Sequence, residues 1–144
     1  MATIHSVVTR IPDGVAANCR KSPERMAWLE GLPAVVQELE HRWELTPDAP
    51  LSGEEPRCSY VEAVRRPDGT PAVLKISMPH MEQEQETDGL RLWNGDPTVR
   101  LLESDDELRA MLLERCQPGT TLRVCVPNMF DSLGVKVSCP TWWR

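Results

Sequence analysis

Apolar residues at Met26, Leu29, Leu32, Val36, Leu39 and Trp43 recur at steps of three or four, the spacing of one stripe along a helical surface. Ser22-Pro23-Glu24 just ahead has the chemistry of a helix start: a capping hydroxyl, a proline at the first helical position and an acid in the first turn. Gly31-Leu-Pro33 interrupts the stripe, because proline lacks an amide donor and disfavours helix in the residue before it. The pattern therefore predicts two short helices, over residues 23–30 and 33–42. Residues 1–21 show no period and are expected to form an irregular leader.

From Trp43 the pattern turns to strands. Trp43–Leu51 reads as a short strand running into a loop with Gly53. Cys58–Arg65 and Pro71–Met78 read as two strands joined by Pro67-Asp-Gly-Thr70, a sequence with turn chemistry, so they should form a hairpin. Residues 79–94 open with proline, are rich in Glu and Gln and end at Asn94-Gly95, which suits a helix with a glycine stop. Val99–Glu103 and Leu108–Arg115, with a polar turn between them, predict a second hairpin before Pro118-Gly119. Hairpins on both sides of one helix imply an α+β fold: a five-stranded antiparallel sheet with one packed helix, preceded by short helices.

Composition narrows the function classes. A net charge of −6 argues against general nucleic-acid binding, which needs an excess of Lys and Arg. No apolar run approaches the roughly eighteen residues of a membrane span, and the first residues lack a secretory signal, so a cytoplasmic protein is expected. Cys19, Cys58, Cys116, Cys125 and Cys139 are odd in number and widely spaced, and His5, His41 and His80 stand apart from them. Such thiols read as reduced and mostly buried, with no metal site. Charge is uneven: residues 1–122 hold 13 bases against 21 acids, whereas 123–144 hold three bases against one acid.

Three segments are candidates for chemistry. Lys75, one of three lysines, interrupts an apolar strand; Val73, Lys75 and Ser77 share one face, and Ala72, Leu74 and Ile76 share the other. Taken alone it reads as a lysine that snorkels from a sheet edge, but a half-buried ammonium needs a partner. Glu82, Glu84, Glu86 and Asp88 follow on the next helix, divided between two faces, so that one of them could turn toward Lys75. Third, Ala110–Arg115 is an apolar strand that runs into Pro118-Gly119.

Together the blocks Trp28-Leu-Glu-Gly-Leu-Pro33, Trp43-Glu-Leu45, Asp68-Gly-Thr-Pro-Ala-Val-Leu-Lys-Ile76, Leu90-Arg-Leu-Trp-Asn-Gly95, Val99-Arg-Leu-Leu102 and Leu112-Leu-Glu-Arg-Cys-Gln-Pro-Gly-Thr120 resemble the aminoglycoside/hydroxyurea antibiotic kinases. The resemblance implies the amino-terminal lobe of a kinase-like fold over residues 22–122 and ATP-dependent phosphorylation of an alcohol group on an antibiotic. Lys75 then matches the lysine that contacts nucleotide phosphates, and Glu86 best matches its helix partner, with Glu82 and Glu84 as alternatives. Leu113, Glu114 and Cys116 match the hinge, where the Glu114 carbonyl and the Cys116 amide face adenine. The phosphate-covering loop falls near Gly53–Ser59, where Glu54 and Glu55 would repel phosphate and Pro56 offers no amide, so the implied ATP site is a partial, weak one.

The family pattern also implies a His-x-Asp catalytic loop and a later metal-holding Asp in a second lobe. No histidine follows His80, and Asp131 is the only acid beyond Glu114. No ligand for Mg2+ is identified, and the expected partners are a nucleotide, with the antibiotic taken up only alongside a second lobe. Residues 123–144 read as a divergent tail, the mark of a truncated or frameshifted product expected to be inactive alone. The alternative is a non-catalytic remnant that binds a nucleotide or a partner, either a complementing lobe or a second copy, through an exposed apolar face.

Overall fold

A computed structural model of the chain describes residues 11–49, 58–79, 83–96 and 98–116. Helices α1 (Asp13–Cys19) and α2 (Pro23–Arg42) lead into strands β1 (Thr46–Pro47), β2 (Ser59–Arg65) and β3 (Pro71–Ser77). Helix α3 (Gln83–Trp93) and strands β4 (Leu101–Asp105) and β5 (Ala110–Glu114) follow. The five strands form one antiparallel sheet in the order β1-β2-β3-β5-β4. The fold is α+β, with both anticipated hairpins present.

The sequence expectation fails at Pro33. Helix α2 runs unbroken through Gly31 and Pro33. A proline in a helix interior costs about 3 kcal/mol through the lost bond and the clash. Against that cost, Leu32, Val36 and Leu39 are 1%, 2% and 0% exposed in the core under the sheet. Burying each such side chain contributes roughly 1.5–3 kcal/mol, so packing outweighs the local penalty. Pro33 itself lies on the exposed side of the helix. Gly31 is also exposed, and a Cβ there would meet nothing within 4 Å. Gly31→Ala should therefore stabilise the protein by about 0.5–1 kcal/mol, read as a rise in thermal midpoint.

Two further differences concern the ends of α2. Within the segment expected to be irregular, α1 forms because Val15 and Cys19, four residues apart, are buried in a cluster with Met78. Two anchors are too few to show as a period. At the other end, the Leu45 amide donates to Glu40 O at 2.7 Å and the Glu44 amide to His41 O at 3.3 Å, while Glu44 adopts φ 52. This left-handed cap turns the chain at once into β1, which is therefore two residues long rather than the strand expected from Trp43 to Leu51; residues 50 and 51 lie outside those described.

Asp68 sets the β2–β3 turn by accepting the Thr70 amide at 2.9 Å, and Gly69 takes φ 81. Asn94 and Gly95, with φ 46 and 87, end α3. The sheet has helices on both faces, one more than the sequence pattern implied. Ala72, Leu74 and Ile76 face α2, together with Tyr60, Val64 and Leu112. Val73, Met111 and Leu113 face α3, around Leu90. Among the described residues, no helix is long and apolar enough to cross a membrane.

Candidate functional site

Lys75 occupies the middle of β3, with Val61 of β2 and Met111 of β5 as its register partners. Strand alternation points it toward α3. That helix is seated by Leu90, which is 4% exposed and packs with Met111 and Leu113, and by Thr87, whose hydroxyl lies 3.3 Å from Met111 Sδ. Glu86 is one turn before Leu90 and so shares its inward face. The consequence is a direct ion pair: Lys75 Nζ donates to Glu86 Oε1 at 2.6 Å, with the two side chains 18% and 19% exposed. Asp88 points outward and pairs with Arg91 at 3.2 Å. Glu82 and the side chain of Glu84 lie outside the described residues.

Other anticipated positions gather on this face to different degrees. Ser59, 9% exposed, pairs with Ser77 in register and therefore shares the Lys75 face. Leu113, 8% exposed, lies on the same face beside Val73. Glu114 ends β5 with the opposite parity and is exposed, and Cys116 is exposed beyond the strand. The thiols were expected to be mostly buried. Of the three described, only Cys19 is buried, Cys58 is half-buried and Cys116 is exposed because the sheet ends before it; all three are free. Gly53, Cys125 and Cys139 lie outside the described residues. Among the described residues, no three of His, Cys, Asp and Glu come together where they could hold a metal.

The opposite face of the sheet carries acids that the sequence did not single out. Glu62 sits on β2 facing α2 and the Tyr60 hydroxyl, and its Oε2 is buried without a hydrogen-bond partner. Burial pushes its carboxyl above the ordinary glutamate value, with the Tyr60 hydroxyl opposing. Glu40 of α2 is pushed up as well, by burial first and then by the Glu62 charge. Raised carboxyls favour the fold while protonated, at low pH, and that contribution fades as pH rises through their folded values. These groups are a structural cost on the face away from Lys75.

Sequence reasoning also missed a cluster at the end of the sheet. Asp48 accepts Arg65 Nε and Arg115 Nη1, both at 3.1 Å. The Ala49 amide, and after it the two guanidinium groups, hold the Asp48 carboxyl below its ordinary value. Sixty-seven residues separate Asp48 from Arg115, so no local pattern could reveal the pair.

The family described as aminoglycoside/hydroxyurea antibiotic resistance kinase matches residues 42–144, a span that includes the tail of differing composition. The chain is similar to a streptomycin 6-kinase of Streptomyces glaucescens, 46% identical over 120 residues, which is 81% of this chain and 38% of that protein. A streptomycin 6-kinase of Streptomyces griseus is 45% identical over 128 residues, 87% of this chain and 40% of that protein. A hydroxyurea phosphotransferase of Kitasatospora aureofaciens is 40% identical over 95 residues, 66% of this chain and 27% of that protein. This chain thus spans two-fifths or less of the length of these curated relatives. No solved structure matches it.

Proposed function

Because the chain belongs to the aminoglycoside/hydroxyurea antibiotic resistance kinase family, we propose that it is the nucleotide-gripping lobe of an ATP-dependent phosphotransferase. The acceptor in this reading is an alcohol group of an antibiotic, either an aminoglycoside or hydroxyurea. One observation carries the proposal: the 2.6 Å contact between Lys75 Nζ and Glu86 Oε1, on the sheet face that α3 covers. A lysine fixed in this way presents a positioned ammonium to phosphate oxygens, and the glutamate prevents it from swinging to solvent.

The remaining roles rest on the family resemblance. Leu113 and Val73 supply apolar surface for the base, and the Glu114 carbonyl and Cys116 amide supply its hydrogen bonds. Ser59 and, by the family resemblance, Gly53 are assigned to the phosphates. ATP supplies the transferable phosphoryl group when bound; this chain's residues bind and orient it. Among the described residues no three His, Cys, Asp or Glu side chains gather, so no residue is assigned to magnesium, and none is assigned as base for the acceptor hydroxyl. The 144-residue polypeptide alone is accordingly expected to bind ATP weakly and to transfer nothing, the antibiotic being engaged only together with a second lobe.

A second reading is a non-catalytic module that binds a nucleotide or a partner. Leu92 and Trp93, 81% and 53% exposed on α3, favour it as an apolar patch open to a complementing lobe or a second copy. Two measurements separate the readings. Calorimetric titration of the chain with ATP should show weak saturable binding, and incubation with ATP, magnesium and streptomycin or hydroxyurea should give no phosphorylated product. Clear turnover would refute the assignment of a binding lobe alone. Absence of any ATP binding would leave only the partner-binding reading.

A further inference from the structure

Asp48 lies where three separated stretches of chain meet. Its amide donates to Ala63 O at 2.9 Å, which extends the β1–β2 pairing by one residue beyond Pro47. Its Oδ1 accepts the Ala49 amide at 2.8 Å, leaving Oδ2 for Arg65 and Arg115. Arg65 is held a second time, donating from Nη1 to the Gly69 carbonyl at 3.1 Å. Arg115 therefore meets an acceptor that is already fixed. The Asp48 and Arg115 side chains are 18% and 22% exposed, whereas Arg42 and Glu38 on α2 pair at 45% and 52%. The second kind of pair contributes little; the first has the restricted geometry that can fix a segment.

The position of Arg115 gives this contact a consequence. It lies between Glu114 and Cys116, the two residues assigned above to the base, so restraining its side chain restrains both adjoining peptide units. On the other side, the Glu114 amide donates to Arg100 O at 2.9 Å and Glu114 Oε2 accepts the Arg100 amide at 3.2 Å. The chain leaving β5 is thus tied on one side to the start of β4 and on the other to the β1–β2 edge. We propose that Asp48 is a positioning residue for the nucleotide base: acting through Arg115, it holds the 114–116 backbone in place before ligand arrives. A segment ordered in advance loses less chain freedom on binding, which is the general source of affinity from preorganisation. The phosphate end is held separately, by Lys75 and Glu86, so the two ends of the ligand should respond independently.

This inference rests on the nucleotide reading, and its test keeps the two apart. Asp48→Asn and Arg115→Gln each remove the ion pair from one side, so the second variant serves if the first folds poorly. In the ligand-free chain, amide exchange across residues 110–116 should quicken several-fold in both, with no further gain in the double variant. The dissociation constant for ATP should rise about tenfold, the equivalent of roughly 1.4 kcal/mol, while that for inorganic tripolyphosphate stays unchanged. Asp48→Glu should recover much of the loss. Unchanged exchange, or ATP and tripolyphosphate weakened together, overturns the role given to Asp48. If the wild-type chain binds no ATP, the nucleotide reading falls and the base-positioning role falls with it.

Discussion

Replacing Lys75 with methionine should weaken ATP binding by roughly a hundredfold, about 3 kcal/mol, while the chain still folds. Two unit charges about 4 Å apart attract by about 4 kcal/mol at the effective dielectric of a protein surface, so one positioned ammonium accounts for most of a weak phosphate site. Methionine keeps most of the apolar stem that packs between Val61 and Met111, the register partners of Lys75. What it leaves behind is Glu86, 19% exposed and without its partner. Water can reach that carboxylate, so the stability loss should fall below the roughly 3–5 kcal/mol seen for fully buried pairs. Adding Glu86→Gln should then restore thermal stability without restoring binding. Calorimetric titration and thermal melts on the single and double variants check both statements. Wild-type affinity in Lys75→Met would remove the ground on which the proposed function stands.

The second large effect is expected far from the site. Leu39→Ala should destabilise the chain by about 2–5 kcal/mol, which lowers the thermal midpoint of a domain of this size by roughly 5–20 degrees. Leu39 is fully buried on α2, in the cluster that joins the helix to β2, β3 and β5. If α2 were only loosely attached to the sheet, the truncation would be mild. Leu92→Ala provides the internal standard: at 81% exposure it should change stability by no more than about 0.5 kcal/mol. Similar midpoints for the two variants would show that α2 does not hold the sheet. The consequence reaches the site, because Leu74 and Ile76, packed against that cluster, flank Lys75 on β3.

The features readable from the sequence were those with local causes. Asp68-Gly69 forms the turn it suggested, because the Asp68 carboxylate caps the Thr70 amide and glycine accepts φ 81. Asn94 and Gly95 end α3 for the same kind of reason, since both tolerate a left-handed backbone. The Lys75–Glu86 pair was also within reach, because a charge in an apolar strand requires a partner and the next helix offered few. Deciding among Glu82, Glu84 and Glu86 needed more than spacing. It rested on the block that begins at Leu90, and Leu90 is the residue that seats the helix.

The sequence by itself determined the order of elements from β1 to β5, the alternation that sends Lys75 to one face of β3, and the family resemblance. Each is encoded within a few residues, by turn chemistry, strand period or contiguous motif. Only the tertiary structure decided that α2 continues through Pro33, that both faces of the sheet are covered, and that Asp48 meets Arg115 from 67 residues away. The reason is the same in each case: a local rule gives the cost of a residue in its own segment, whereas burial and ion pairing depend on what the rest of the chain brings against it.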